Sequence, residues 1–136
     1  MGSVGSHRKI LIVEDEPSIR NVLYVLLAGH GCEGMVAHDS RQALSMIRQD
    51  SFDAVLLDLR CTNMVPDQMV SAITELRPSL VGRVLVITGE VNDPNTLAML
   101  ERHALPHLPR NRVVLELWDR LKTLLGLGPS RVDSTS

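Results

Sequence analysis

Aromatic residues are scarce in this chain, which has one Trp, one Tyr and one Phe among 136 residues. With so few rings, aliphatic side chains must build the core, and nucleic-acid binding by stacking of bases on aromatics is disfavoured. Basic residues are not in excess either, because 14 Lys and Arg stand against 16 Asp and Glu, for a net charge of −2. Without a basic run, direct contact with nucleic acid is not expected.

Cysteines and long apolar runs are also lacking. The two cysteines, Cys32 and Cys61, do not have the spacing of a metal site, and we expect both to be unpaired thiols without a role in the site. The longest wholly apolar stretch, 22–28, is far shorter than the roughly 18 residues of a membrane span, and no signal peptide opens the chain. These absences predict a cytoplasmic protein that does not contact the membrane.

The length and the apolar pattern predict one folded domain. Residues 8–127 carry regular apolar periodicity, whereas 1–7 and 128–136 are small, polar and aperiodic. We expect these two ends to be flexible, and we expect no output domain after Leu127.

Short apolar runs alternate with segments of helical periodicity. The predicted strands are 10–13, 33–38, 53–58, 83–88 and 105–108. The five predicted helices start near Pro17, at Ser40 as N-cap, after Pro66, at Pro94 and near Val113. Right-handed crossovers between such units build an α/β, doubly wound parallel sheet with five helices, for which the flavodoxin-like order 2-1-3-4-5 is usual at this length.

Polar side chains stand at the ends of three predicted strands. Glu14 and Asp15 follow strand 1, Asp58 ends strand 3 and Thr88 ends strand 4. In a 2-1-3-4-5 sheet the switch point lies between strands 1 and 3, and ligands bind outside the carboxyl ends of the strands. The topology therefore brings the three carboxylates together. Such a cluster needs a positive charge, and Mg²⁺ accepts oxygen ligands while leaving positions free for phosphate.

The same residues could also serve a purely structural role or bind a cofactor. Taken alone, Asp15 would cap the first helix and Asp58 would end a strand in solvent, although the set at one sheet edge favours a function. A flavodoxin-like cofactor site would need a glycine- or hydroxyl-rich phosphate loop after strand 1. The segment 14–17, Glu-Asp-Glu-Pro, would instead repel phosphate in the absence of a metal.

Taken together, three segments resemble the receiver domain of two-component response regulators, over about residues 8–125. These segments are ILIVEDEP at 10–17, LLDL at 56–59 and VITG at 86–89. The intervals between Asp15, Asp58, Thr88 and Arg110 also suit that family's acidic pair, phosphoacceptor, switch hydroxyl and basic residue. The resemblance implies a signalling protein in a two-component system.

The resemblance implies a role for each of these residues. Asp58 would accept a phosphoryl group from the phosphohistidine of a histidine kinase or phosphotransfer protein, assisted by Thr88 and Arg110. The ligands of Mg²⁺ would be Glu14, Asp15, Asp58 and the Arg60 carbonyl. As an enzyme the protein would at most phosphorylate and dephosphorylate itself, with no external substrate.

In the family the signal leaves through a switch aromatic on strand 5, whose position is occupied here by His107. Thr88 and His107 would pass the signal to helix 4, strand 5 and helix 5, and so to an output domain or effector protein. An isolated histidine on a strand is more often simply half-buried, so the alternative is that His107 has no switch role. Whether the receiver stands alone or belongs to a larger regulator or hybrid kinase is left open by the sequence.

The basic side of the site departs from the family pattern. Arg110 replaces the family's lysine, Asn111 replaces the proline that follows it, and 59–67 lacks the usual Met-Pro and later Gly. Arginine keeps the charge and can hold phosphate oxygens bidentately, but it is longer and planar. The Arg60 side chain has an alternative role as the ion-pair partner of Glu14 or another acidic residue.

These departures support a rival hypothesis from another functional class. A degenerate receiver would keep the fold and dock partners without phosphorylation. The presence of Asp15, Asp58 and Thr88 argues against it.

Overall fold

The computed structural model describes residues 7–61, 66–89 and 94–127, and within them five strands alternate with five α-helices. The strands are β1 (Arg8–Val13), β2 (Cys32–Ala37), β3 (Ala54–Asp58), β4 (Val84–Thr88) and β5 (His107–Pro109). The helices are α1 (Pro17–Gly29), α2 (Ser40–Gln49), α3 (Pro66–Leu76), α4 (Pro94–Arg102) and α5 (Val113–Leu124). The predicted alternation of strands and helices is confirmed.

All strand pairs are parallel, and the sheet order is β2-β1-β3-β4-β5. This order confirms the predicted doubly wound topology, with the switch point between β1 and β3. In the register of the sheet, Val13 lies opposite Leu57, and Asp58 lies opposite Ile87. The carboxyl ends of β1, β3 and β4 therefore end at nearly the same level, which gathers the residues that follow them.

Apolar side chains cover both faces of the sheet, as expected for strands that read as continuous apolar runs. Leu11 and Val13 point into the core beneath α2, α3 and α4, whereas Ile10 and Ile12 point into the core beneath α1 and α5. The four side chains are fully buried. Because helices cover both faces of the sheet, a site can form only at the ends of the strands, and the polar residues lie at the carboxyl ends.

Three predicted boundaries are wrong, in α2, β5 and β1. The N-cap of α2 is Asp39 and not Ser40, because the extended Asp39 accepts a hydrogen bond from the Gln42 N–H at 2.8 Å and Ser40 is already helical. Strand β5 begins at His107 and not at residue 105. Ala104 has a positive φ of 49°, and the Leu105 N–H donates to the Leu100 carbonyl, so this segment still closes α4. Strand β1 begins at Arg8, two residues before its predicted start, and the starts of β2 to β4 agree with the prediction to within one residue.

Both cysteines are free thiols, as predicted, and both are buried. None of the helices in the described parts of the chain has the length and apolar character needed to cross a membrane. Of the terminal segments expected to be flexible, 1–6 and 128–136 lie outside the described residues, as does 62–65 within the segment that departs from the family pattern.

Candidate functional site

The ends of β1 and β3 place three carboxylates around one cleft. The N–H of Glu14 donates to the Ala37 carbonyl at 3.1 Å, which extends the pairing of β1 with β2 by one residue. Glu14 and Asp58 are 2% and 1% exposed, whereas Asp15 is exposed at the rim. Together with Glu16, Arg60 and Cys61, the three line a cleft of about 250 Å³. The structure thus brings together the three carboxylates that the sequence singled out.

The surroundings of the buried Glu14 carboxyl disfavour its ionised form. Burial, and then the neighbouring carboxylate of Asp58, raise its pKa from the ordinary 4.5 to about 7. The Glu16 N–H donates to Glu14 Oε2 at 3.2 Å, but the buried Oε1 has no hydrogen-bond partner among the described residues. A buried oxygen without a partner is rare in folded proteins and commonly marks the place of a water or an ion.

Arg110 neutralises the buried carboxylate of Asp58. Its Nη2 donates to Asp58 Oδ2 at 2.5 Å, and its side chain is only 17% exposed. The second oxygen, Oδ1, accepts from the Arg60 N–H at 2.9 Å. Arg110 reaches Asp58 from the 3₁₀ turn that follows β5. The buried carboxylate of Asp58 therefore has a donor on each oxygen, one of them charged.

The Arg60 side chain lies further out and is 58% exposed. Its Nη2 is 3.0 Å from Glu16 Oε1, and its Nε is 3.9 Å from Asp58 Oδ1. The ion pair expected as the alternative role of Arg60 is thus present, with Glu16 as its partner in place of Glu14. The sequence pattern alone does not single out Glu16, although this residue extends the acidic run that follows β1.

Thr88 lies on the opposite side of Asp58 from the acidic cleft, at the end of β4. It is 4% exposed, and no described residue is a hydrogen-bond partner of its Oγ1. Thr88 and Arg110 line a second cavity of about 640 Å³, with Gly89 and Asn111 at its wall. Arg60 borders both cavities. The predicted hydroxyl and the predicted cation therefore share one space.

His107 lies apart from this space. It pairs with Val86 in the sheet, whereas Thr88 pairs with Pro109. The ring is half-buried, and its Nδ1 is 3.3 Å from the Leu105 carbonyl. His107 instead borders a surface cavity formed by α4 and the approach to β5.

Cys61 lies closer to the site than its sequence spacing indicated, and its lack of a role there stays a prediction. It lines the acidic cleft, and its thiol donates to the His38 carbonyl at 3.1 Å. Burial, and then the nearby carboxylates of Asp15 and Glu14, raise its pKa to about 12. Cys61 is therefore a neutral thiol that packs beneath the site, and nothing in its sequence spacing indicates this position.

The donors of the acidic cleft suit a hard divalent cation, because they are carboxylate oxygens and one of them is buried and unpaired. Within 7–61, 66–89 and 94–127, however, no three or more His, Cys, Asp and Glu side chains are gathered closely enough to hold a metal ion. Each carboxylate oxygen has more than one lone pair, so the hydrogen bonds to Asp58 do not exhaust its capacity as a ligand. Glu14, Asp15 and Asp58 therefore supply the type of oxygen ligand that a divalent cation needs, although their side chains are not yet gathered around one point.

Comparison with known proteins identifies the family of this chain. The sequence model of the response regulator receiver domain matches residues 10–121. This chain belongs to the response regulator receiver family. The receiver is 32% identical over 118 residues to the transcriptional regulatory protein CpxR of Klebsiella pneumoniae, a match that covers 86% of this chain and 49% of CpxR. It is 33% identical over 99 residues to ZraR of Escherichia coli K12, covering 73% of this chain and 22% of ZraR.

The receiver thus spans about half the length of CpxR and about a fifth of ZraR. Two solved structures share its fold at 21% identity, each match covering 88% of this chain and 98% of the other. A putative response regulator from Chloroflexus aurantiacus has a TM-score of 0.76. The receiver domain of the sensor histidine kinase PA1611 from Pseudomonas aeruginosa has a TM-score of 0.77 and contains a magnesium ion in its active-site cleft.

Proposed function

We propose that this receiver accepts a phosphoryl group on Asp58 from the phosphohistidine of a histidine kinase or phosphotransfer protein, and thereby switches a partner. The observation that carries the proposal is a set of buried polar atoms without partners around Asp58. Thr88 Oγ1 and Arg110 Nε are donors without an acceptor, and Glu14 Oε1 is an acceptor without a donor, among the described residues. An oxyanion would satisfy the two donors and a cation would satisfy the acceptor.

The chemistry of this arrangement is positioning and charge neutralisation. A carboxylate oxygen of Asp58 attacks phosphorus while the P–N bond of the phosphohistidine breaks, and its electron pair returns to the imidazole of the donor. Charge spreads over the equatorial phosphoryl oxygens in the transition state. Arg110 and Thr88 line the cavity that these oxygens would enter, and a guanidinium and a hydroxyl can both donate hydrogen bonds to them.

The acidic cleft would hold Mg²⁺ through Glu14, Asp15, Asp58 and the Arg60 carbonyl. When bound, the ion would neutralise the transferring group and the clustered carboxylates. Glu14 would have to be ionised to serve as a ligand, and its raised pKa makes this protonation state sensitive to pH near neutrality. As an enzyme, the receiver would at most phosphorylate and dephosphorylate itself, and it would have no external substrate.

The output side of the proposal uses Thr88 and His107. Movement of the Thr88 hydroxyl towards a phosphoryl oxygen would free space beside β5, and His107 would respond to it. The face of α4, β5 and α5 would then present a changed surface to an output domain or effector protein. We expect Arg110→Ala to weaken coupling to the partner without weakening metal binding, because the substitution removes a positive charge beside the carboxylate ligands. The test is partner affinity with and without phosphorylation, and equal affinities in wild type would contradict a switch.

The proposal is tested by intact-mass analysis after incubation with phosphoramidate, which carries the P–N bond of the natural donor. Wild type should gain the mass of one phosphoryl group in Mg²⁺ and much less in EDTA, and Asp58→Asn should gain none. Asp119→Asn is the matched control, because the Asp119 side chain is 76% exposed on α5. An adduct that persists in Asp58→Asn would refute Asp58 as acceptor. No adduct under any condition would favour docking without phosphorylation.

A further inference from the structure

Gly89 follows Thr88, and the guanidinium of Arg110 lies next to the position that a side chain on residue 89 would occupy. A Cβ placed on Gly89 would lie 3.1 Å from Arg110 Nη1, its nearest neighbour among the described residues. This is closer than the roughly 3.5–4.0 Å at which heavy atoms pack favourably. Gly89 is not among the described glycines with positive φ, so its backbone conformation alone does not require glycine. A side chain at this position would require Arg110 to shift by a few tenths of an ångström.

Arg110 has little freedom to move away from such a contact. Nη1 and Nη2 belong to one planar guanidinium, so displacing Nη1 also displaces Nη2 from Asp58 Oδ2, which it meets at 2.5 Å. The side chain is largely buried. At its base, the chain leaves β5 directly into the 3₁₀ turn Arg110–Arg112. A methyl group at position 89 would therefore act on the ion pair and not on a free side-chain end.

We infer that Gly89 is a positioning residue, which keeps the guanidinium of Arg110 in place on Asp58. A lysine at position 110 would make no such demand, because its ammonium is a single terminal nitrogen with no counterpart of Nη1. Glycine at 89 and arginine at 110 are thus a steric pair. The inference rests on the proposed function only in taking Asp58 as the phosphoacceptor.

A double-mutant cycle tests the pair in the full-length chain, using Gly89→Ala, Arg110→Lys and the double variant. The first measurement is the rate of phosphorylation by phosphoramidate in Mg²⁺. We expect Gly89→Ala to slow it roughly tenfold when residue 110 is arginine, the scale of a lost charge-assisted hydrogen bond. In the Arg110→Lys background, the same change should slow it less than about twofold, within the scatter for uncoupled positions.

The second measurement does not depend on phosphorylation. In ¹⁵N NMR spectra of unphosphorylated protein, a guanidinium held on Asp58 should give separate Nη signals, assigned to Arg110 by their loss in Arg110→Lys. Gly89→Ala should merge or shift these signals. Gly29→Ala is the matched control, because a Cβ at Gly29 meets no atom within 4 Å and its φ is not positive. It should leave both the rate and the Arg110 signals unchanged.

The outcomes separate the two proposals. Unchanged Arg110 signals in Gly89→Ala overturn the positioning role, whatever the rates. Equal slowing in the arginine and lysine backgrounds also overturns it, since the effect would not pass through Arg110. If no variant takes up phosphate but Gly89→Ala still moves the Arg110 signals, the proposed function fails and the steric pair stands.

Discussion

The acidic and basic halves of the site are built in different ways. Glu14 and Asp58 are short side chains attached directly to the ends of β1 and β3, so the sheet itself sets their positions. Arg110 and Arg60 are long side chains that start in turns and reach the site by length. The acidic half is preorganised but self-repelling, and the basic half relieves it. The comparison teaches that the buried carboxylate of Asp58 is paired with a cation, Arg110, that comes from another loop.

Removing the Arg110 side chain should cause the largest loss in the free energy of unfolding. Arg110→Ala leaves the buried carboxylate of Asp58 beside Glu14 without its cation. Breaking a buried ion pair from one side typically costs on the order of 3 kcal/mol of unfolding free energy. We expect such a loss in urea unfolding at pH 8 in EDTA. The control is Arg112→Ala, whose partner Glu116 lies in an exposed pair on α5, and it should cost less than about 1 kcal/mol. Equal losses would show that Arg110 does not neutralise the acidic half.

The self-repulsion of the acidic half should appear as a pH dependence. The unfolded chain releases the Glu14 proton near pH 4.5, whereas the folded protein keeps it until about pH 7. The folded state therefore binds more protons in this window, and its stability falls as the pH rises through it. We expect a loss of about 2–3 kcal/mol between pH 5 and 8 that is absent in Glu14→Gln. The check is the difference between the two unfolding curves, and parallel curves would contradict the raised pKa.

A divalent cation should replace part of what Arg110 supplies. Both Mg²⁺ and the guanidinium neutralise Asp58, so the ion should stabilise Arg110→Ala more than wild type. At ten times its dissociation constant, an ion that binds only the folded state adds about 1.4 kcal/mol. Thermal unfolding with Mg²⁺ and with EDTA measures this, and the stabilisation should be larger at pH 8 than at pH 6, where protons compete for Glu14. An equal shift in both proteins would mean that arginine and metal act independently.

The outer arginine should matter least. Arg60 and Glu16 form an exposed ion pair, and such pairs are worth about 0–1 kcal/mol. Arg60→Ala should therefore change the unfolding free energy by less than about 0.5 kcal/mol, because its backbone N–H still donates to Asp58. A loss as large as that of Arg110→Ala would place the two arginines in one network and remove the distinction between inner and outer cations.

Much of the fold could be predicted because strand and helix periods are local properties. The buried runs that form β1, β3 and β4 are visible in the sequence, and topology rules limit how such units assemble. The predicted start of β5 is wrong because an apolar residue, Leu105, is also used to close α4 through a hydrogen bond to Leu100. Apolar character reports burial and does not distinguish a strand from the packed end of a helix.

The sequence predicted the acidic residues of the candidate site but not the contacts of its other residues. Its carboxylates follow from strand ends, since a sheet brings the ends of neighbouring strands together. The partner of Arg60, the place of Cys61 in the cleft and the space that Gly89 leaves did not follow from the sequence. Each depends on the direction of a long side chain or on the distance between two loops, which no local pattern specifies.

The sequence by itself determined the order of the elements, the approximate ends of the strands and the three carboxylates that follow them. These properties arise from apolar periodicity and from short side chains that go where the backbone places them. Only the tertiary structure decided that Arg110 and not Arg60 meets Asp58 Oδ2, and that Gly89 leaves room for it. The physical reason is that the reach of a long side chain is settled by packing and charge among residues distant in the chain.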